Sequence, residues 1–170
     1  MERDHVDFIL EQWARERPDL DASPMGVIGR TTRAARSLDR GLQEGFRPFG
    51  IAGWAFDVLA TLRRSGPPFR LTPTKLSDTL MLSSGAMTNR LDHLERAGLI
   101  ERLPDPTDRR GVLVALTAKG RALIDEAVAA HVANEHRLLA ALSPEEQRTL
   151  AALLRKLLLS LDGAAAPERA

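Results

Sequence analysis

Two adjacent arginines, Arg109 and Arg110, sit in the stretch DPTDRRG (residues 105–111), between runs at 100–103 and 112–116 that read as short strands. Asp, Pro, Thr and Gly are ordinary turn residues, so a solvated hairpin tip accounts for everything here except the paired guanidinium groups. Arginine at the tip of a two-stranded ribbon suits a phosphate backbone or a narrow minor groove, whose negative potential favours it. Asp108 is placed to brace one guanidinium so that the other points outward.

A second constellation precedes it. In SSGAMTNRLDHLERAG (residues 83–98), Met87, Leu91, Leu94 and Gly98 recur at helical spacing and are expected to face a core. At about 100° per residue, Gly85, Asn89, Asp92, His93 and Arg96 project to the opposite side, with Ser84 and Thr88 on one flank. Small polar residues at the start of a helix suit entry into a DNA major groove. Asn can pair with adenine there, Ser or Thr can bond bases or phosphates, and the helix N-terminus favours phosphate. The same sequence also reads as an ordinary amphipathic surface helix; its position between a short helix and an arginine-tipped hairpin favours the first reading. The candidate DNA-contacting set is Thr72, Thr74, Ser83, Ser84, Gly85, Thr88, Asn89, His93, Asp108, Arg109 and Arg110.

The elements that must position these residues are mostly helical. A first helix is expected from near Asp4 to just before Pro18, with Val6, Ile9, Leu10 and Trp13 as its apolar stripe. Ser23-Pro24 opens a second toward Gly45 and Pro48, and Ile51, Ala55, Val58, Leu59 and Leu62 mark a third that Gly66-Pro67-Pro68 ends. Thr72-Pro73 starts a short helix to about Thr79, and a turn of about four residues leads into the polar helix, the spacing of a helix-turn-helix. Thr117 opens a long helix through about Leu139. Ser143-Pro144-Glu145-Glu146 combines a capping box with a first-turn proline and starts a last helix with Leu150, Leu153, Leu154, Leu157 and Leu158 on one face. The expected fold is mainly α with a small β-hairpin: a winged helix-turn-helix with helical extensions at both ends. The expected divisions are 1–66, 67–117 and 118–162, followed by a flexible tail at 163–170.

Composition removes several function classes. The chain has 170 residues, 44% hydrophobic and 28% charged, with no run near the roughly 18 apolar residues of a membrane span. A cytoplasmic, non-membrane protein is expected. Zero cysteines excludes disulfides, thiolate metal sites and thiol-based redox sensing. No HExxH, GxSxG, P-loop or GxGxxG occurs, and His131 and His136, five residues apart, do not share a helix face; neither catalysis nor a cofactor is expected. Net charge is only +1, so any basic surface must be local. Residues 84–121 carry seven Lys or Arg against five Asp or Glu. Arg30, Arg33, Arg36 and Arg40 of the second helix are read as a solvated or salt-bridged face. A helical module that binds protein instead of DNA is the competing class.

The segment LTPTKLSDTLMLSSGAMTNRLDHLERAGLIERLPDPTDRRGVLVALTAKG (residues 71–120) resembles the winged-helix core of the MarR family of bacterial transcription regulators, through SxxxTNRLxxLExxGLIxR joined to DPxDRRGxxVxLTxxG. The resemblance implies a homodimer, built by helices from both chain ends, that grips a pseudo-palindromic double-stranded operator. Geometry independently asks a twofold dimer for half-sites about one helical turn apart. A narrower resemblance is to the urate-responsive branch of the family. It rests on Trp13 in an extra N-terminal helix, Asp57 in WAFDVLATLRR, Arg90 in MTNRL and Arg102 in LIERL. That likeness implies a purine-like anion binding between the dimerisation and DNA-binding parts and weakening DNA binding; another anionic or phenolic ligand is the alternative.

Each of these four residues also has a plainer reading. Arg90 lies about 60° from the apolar centre of its helix and Asp57 lies beside Trp54 and Thr61, so the two suit an ion pair. Trp13 suits helix docking, and Arg102 can pair with Glu101 or Asp105, or touch phosphate. Together, two guanidinium forks, an indole and a carboxylate suit a planar, hydrogen-bonding anion.

Overall fold

The computed structural model describes residues 2–165. These residues form two compact units that divide between His131 and Val132, within one long helix.

The first unit begins with α1 (His5–Glu16), which Asp4 caps in a reciprocal box with Asp7. α2 (Ser23–Phe46) has proline in its first turn. Arg30 of α2 ties the two helices together, donating Nε to Asp4 at 2.8 Å and Nη2 to Asp7 at 2.6 Å. Of the apolar stripe expected on α1, only Val6 is buried, whereas Trp13 remains 40% exposed. A 3-10 turn, Arg47–Phe49, leads to α3 (Gly53–Arg64), which supplies Ala55, Phe56, Val58, Leu59 and Leu62 to the core. Phe46, Phe56 and His131 pack their rings against one another at centroid separations of 4.6 to 5.3 Å. His131 is therefore a core ring.

Two caps build the helix-turn-helix. The Thr72 hydroxyl accepts from the Lys75 N–H to open α4 (Pro73–Leu80), and the Ser83 hydroxyl accepts from the Ala86 N–H to open α5 (Ser84–Arg96). Between them Met81 turns the chain in the left-handed region, with φ of 52°. Met87, Leu91 and Leu94 of α5 are buried as their spacing demands. Gly98 is not part of that stripe: it is exposed with φ of +70°, so it ends the helix. Glycine enters that region at no steric cost, whereas a residue with a Cβ, as at Met81, does so with strain.

The expected two-stranded hairpin is a three-stranded antiparallel sheet of order β1-β3-β2: β1 (Arg70–Leu71), β2 (Ile100–Asp105) and β3 (Asp108–Leu116). Arg70 and Leu71 pair with Ala115 and Val114, a strand too short for periodicity to reveal.

α6 (Ala118–Leu138) starts where Thr117 Oγ1 donates to the Gly98 carbonyl at 2.8 Å and accepts from the Gly120 N–H at 3.0 Å. Gly120 presses on the Leu99 backbone so closely that a methyl group there would overlap the Leu99 carbonyl oxygen. Backbone cannot retreat as a flexible side chain does. Gly120→Ala is accordingly expected to destabilise the fold by about 3 kcal/mol, read as a lowered urea midpoint at unchanged m-value.

The second unit holds the end of α6 and α7 (Pro144–Ala165). Ser143 and Glu146 form the anticipated capping box, and Gln147 Nε2 donates to the Leu139 and Leu142 carbonyls. α7 continues through Ala165, beyond residue 163 where a tail was expected; 166–170 lie outside the described residues. Leu150, Leu153, Leu154, Leu157, Leu158, Leu159 and Leu161 are all exposed. Among the described residues no helix is long and apolar enough to cross a membrane.

Candidate nucleic-acid interface and effector cleft

The wing turn is held by its two aspartates. Asp105 Oδ1 accepts from the Thr107 N–H at 2.8 Å and the Thr107 hydroxyl at 2.7 Å, and Asp108 Oδ1 accepts from the Arg110 N–H at 2.9 Å. Asp108 thus braces a backbone amide, where the sequence suggested a guanidinium. Hydrogen bonds from the Thr107 hydroxyl and amide hold the Asp105 carboxyl below the usual carboxylate range. A carboxyl lowered in the folded state stabilises above its unfolded pKa and loses that contribution as pH falls through the folded value. The turn is therefore fully braced at neutral pH.

Arg109 and Arg110 are the second and third residues of β3, outside the turn itself. The register shifts between the Pro104–Val112 and Asp105–Asp108 pairs, so both arginines lie in an irregular stretch of the strand beside the turn. Both are exposed, and among the described residues neither guanidinium has a hydrogen-bond or ion-pair partner. Gly111 is required beside them, because a Cβ there would approach the Asp105 Cβ to 2.8 Å.

On α5, Ser84, Gly85, Thr88, Asn89 and His93 are all exposed on the side away from the buried Met87, Leu91 and Leu94. The Thr88 hydroxyl donates to the Ser84 carbonyl at 2.9 Å, leaving its oxygen as an outward acceptor. The Asn89 amide has no partner among the described residues. His93 Nδ1 lies 2.9 Å from the Asn89 carbonyl. A carbonyl only accepts, so Nδ1 carries a proton in this contact. Ser83 and Thr72 serve as helix caps, and Thr74 is exposed in the first turn of α4. Met81, 92% exposed in the helix-helix turn, is a further residue of this face that apolar patterning did not single out.

Arg102 belongs to a joint between wing and helix. Its Nη2 donates to Asp92 at 2.6 Å, its Nη1 bonds Glu95, and its backbone N–H donates to the same Glu95 carboxylate at 3.1 Å. Neither Glu101 nor Asp105, the partners suggested by sequence, is used. Asp92, expected to face solvent, instead turns half-buried toward β2.

Arg90 leans sideways as its helical angle implied. Its guanidinium carbon stands 5.8 Å from the centre of the Trp54 ring on α3. His93 meets the same indole edge-on at 6.1 Å. Trp54, Ala86, Asn89, Arg90 and His93 line a cleft of about 340 Å³. Asp57 is exposed one turn after Trp54 and makes no ion pair with Arg90. Trp13 borders a shallow surface with Gln12, Arg15 and Glu16, all of α1. Among the described residues, no hydrogen bond, ion pair or ring contact joins any two of Trp13, Asp57, Arg90 and Arg102. A larger cleft between α1 and α2, about 520 Å³, is lined almost wholly by apolar groups such as Val6, Ile9, Met25 and Ile28. Thr32 and Arg33 are its polar side chains. No group of three or more His, Cys, Asp or Glu among the described residues is placed to hold a metal.

The family model described as MarR family matches residues 49–111. The chain is 44% identical over 149 residues to the HTH-type transcriptional regulator PecS of Dickeya dadantii, covering 88% of this chain and 90% of that protein. A cysteine-to-serine mutant of Escherichia coli MarR, solved with operator DNA, superposes with a TM-score of 0.69 at 31% identity, over 92% of this chain and 99% of that one. A MarR family transcriptional regulator from Streptomyces coelicolor, solved in complex with DNA, gives a TM-score of 0.75 at 25% identity, over 89% and 93% of the two chains. With near-full-length identity at this level and the arginine-tipped wing, capped helix pair and small-residue helix in place, the chain belongs to the MarR family, whose members are transcriptional regulators and not enzymes.

Proposed function

We propose that this protein is a repressor that binds a pseudo-palindromic operator as a homodimer and releases it when a small planar anion, such as urate, binds. The observation that carries the DNA half is the pair of unpartnered arginines on the wing beside the exposed small-residue face of α5. These are the parts that would meet adjacent grooves of one duplex. The operator complex of the E. coli relative supports the same use of the fold.

A dimer follows from two features. Seven leucines of α7 are exposed, as are Met25, Val27 and Ile28 of α2, more apolar surface than a solitary subunit ordinarily leaves in water. Reading two half-sites on one DNA face also requires two recognition helices related by twofold symmetry. For the effector half, the sequence signature Trp13, Asp57, Arg90 and Arg102 names the candidate residues. Arg90, which sits against an indole without any carboxylate holding it, is the one most open to an incoming anion.

Selection of bound duplexes from a randomised pool tests the proposal. The wild-type protein is expected to enrich a twofold-symmetric site with half-sites about 10 base pairs apart. Asn89→Ala is expected to retain binding within about tenfold while losing base preference at one symmetric position, because a bidentate asparagine contributes about 1–3 kcal/mol of discrimination. Failure to retain any duplex at low salt would leave the protein-binding module as the better reading.

A further inference from the structure

We infer that Met81, in the turn between α4 and α5, is a specificity residue of the DNA interface, its thioether packing against a thymine methyl group in the operator's major groove. This rests on the reading that α5 enters that groove, and it adds a contact that is neither polar nor on the helix.

Two unfavourable features fall on one residue. Met81 closes α4 at φ 52° and ψ 46°, in the left-handed region where glycine or asparagine sits more easily. Its side chain is 92% exposed, so packing within the subunit does not offset that strain. Among the described residues Phe69 is the other non-glycine residue at positive φ, and there the ring is held between the Arg63 and Arg121 guanidinium groups, at 4.9 and 4.6 Å. Met81 stands in solvent instead. Its neighbours Leu80 and Leu82 pack against the core, so of the three it is the residue turned outward. Glycine would remove both the strain and the exposed apolar surface, and an outlier of this kind points to a use outside the folded chain.

Position identifies that use. Met81 lies two residues before Ser83, the cap of α5, so the two Cα atoms are at most about 7.6 Å apart. The helix end beside it consists of Ser84, Gly85 and Ala86, all exposed and none with a long side chain. An apolar group standing there is left to reach a base edge. In the major groove every base pair presents hydrogen-bonding groups, and thymine alone adds a methyl group. Methionine, unbranched and polarisable, adapts its shape to such a contact. The polar residues of α5 suit the hydrogen-bonding edges, and Met81 suits the apolar one.

Fluorescence anisotropy on the duplex that wild type selects from a randomised pool tests this, with 2′-deoxyuridine replacing thymine at one symmetric pair of positions at a time. Uracil keeps the base pairing and lacks only the methyl group. At one such pair uracil is expected to weaken wild-type binding about fourfold per half-site and about fifteenfold for the dimer, the size expected of one buried methyl group at each. Met81→Gly is expected to bind the thymine duplex at least as weakly as wild type binds the uracil one, and to bind both duplexes within twofold of each other. Its urea midpoint is expected to be unchanged or raised, since the strain is gone. Met81→Asn, which also tolerates the left-handed region, carries the same comparison should glycine unsettle the turn. Uracil sensitivity absent at every thymine pair, or undiminished in the variants at every sensitive pair, would overturn the role of Met81 while leaving the regulator reading intact. A wild-type protein that retains no duplex at low salt would overturn both.

Discussion

Replacing Arg109 and Arg110 together by alanine is expected to weaken operator binding roughly a hundred- to a thousandfold near physiological salt. A dimer loses four guanidinium groups; with one arginine of each wing in a base-edge contact worth about 1–3 kcal/mol, the two wings together lose about 2–6 kcal/mol, which brackets that loss. The logarithmic salt dependence is expected to flatten by about 2 to 4, given a slope of roughly −0.9 per neutralised phosphate. Stability should hardly change, because neither guanidinium has a partner to lose among the described residues. Fluorescence anisotropy of a labelled operator across a salt series gives both quantities. Equal slopes for mutant and wild type would remove the wing from the DNA interface.

Saturating urate is expected to lower operator affinity about 5- to 150-fold, the usual range of a coupling free energy of 1–3 kcal/mol. Arg90→Ala is expected to abolish the effect while the protein stays folded, since Arg90 packs on Trp54 without an ion pair. Linkage demands reciprocity: operator DNA must weaken urate binding by the same factor. This gives a second measurement of one quantity. Urate that releases operator from Arg90→Ala as readily as from wild type would exclude this guanidinium from the switch.

Much of the fold was legible because local signals are strong where backbone groups need capping. Thr72-Pro73, Thr117 and Ser143 each open a helix as expected, and the capping box at Ser143 and Glu146 forms as its spacing demands, whereas Ser23 lies inside α2, whose N-cap Ala22 makes no side-chain cap bond. Periodicity identified Met87, Leu91 and Leu94 as the buried face of α5. It misplaced Gly98, since a helical count cannot distinguish a core glycine from one that ends the helix at positive φ. β1 escaped notice because two residues carry no alternation.

The site was legible in type more than in partnership. Asp92 shares the polar face of α5 by angle, yet it turns to Arg102 because strand β2 brings a guanidinium 10 residues later within reach. Arg90 pointed sideways as its angle implied, but onto Trp54 and away from any pairing with Asp57. Such choices depend on which elements become neighbours, and that is a tertiary outcome. Trp54 and Trp13 look equally apolar in sequence; only packing shows which indole faces the recognition helix.

Two copies of the chain are expected to present α5 and the wing together to one face of a duplex. Hydroxyl-radical footprinting on the DNA upstream of the protein's own gene tests it most directly. Two symmetric protected tracts about one helical turn apart are predicted, flanked by minor-groove protection that disappears in the Arg109→Ala/Arg110→Ala double mutant. A single asymmetric tract, or flanking protection that persists without both arginines, would contradict it.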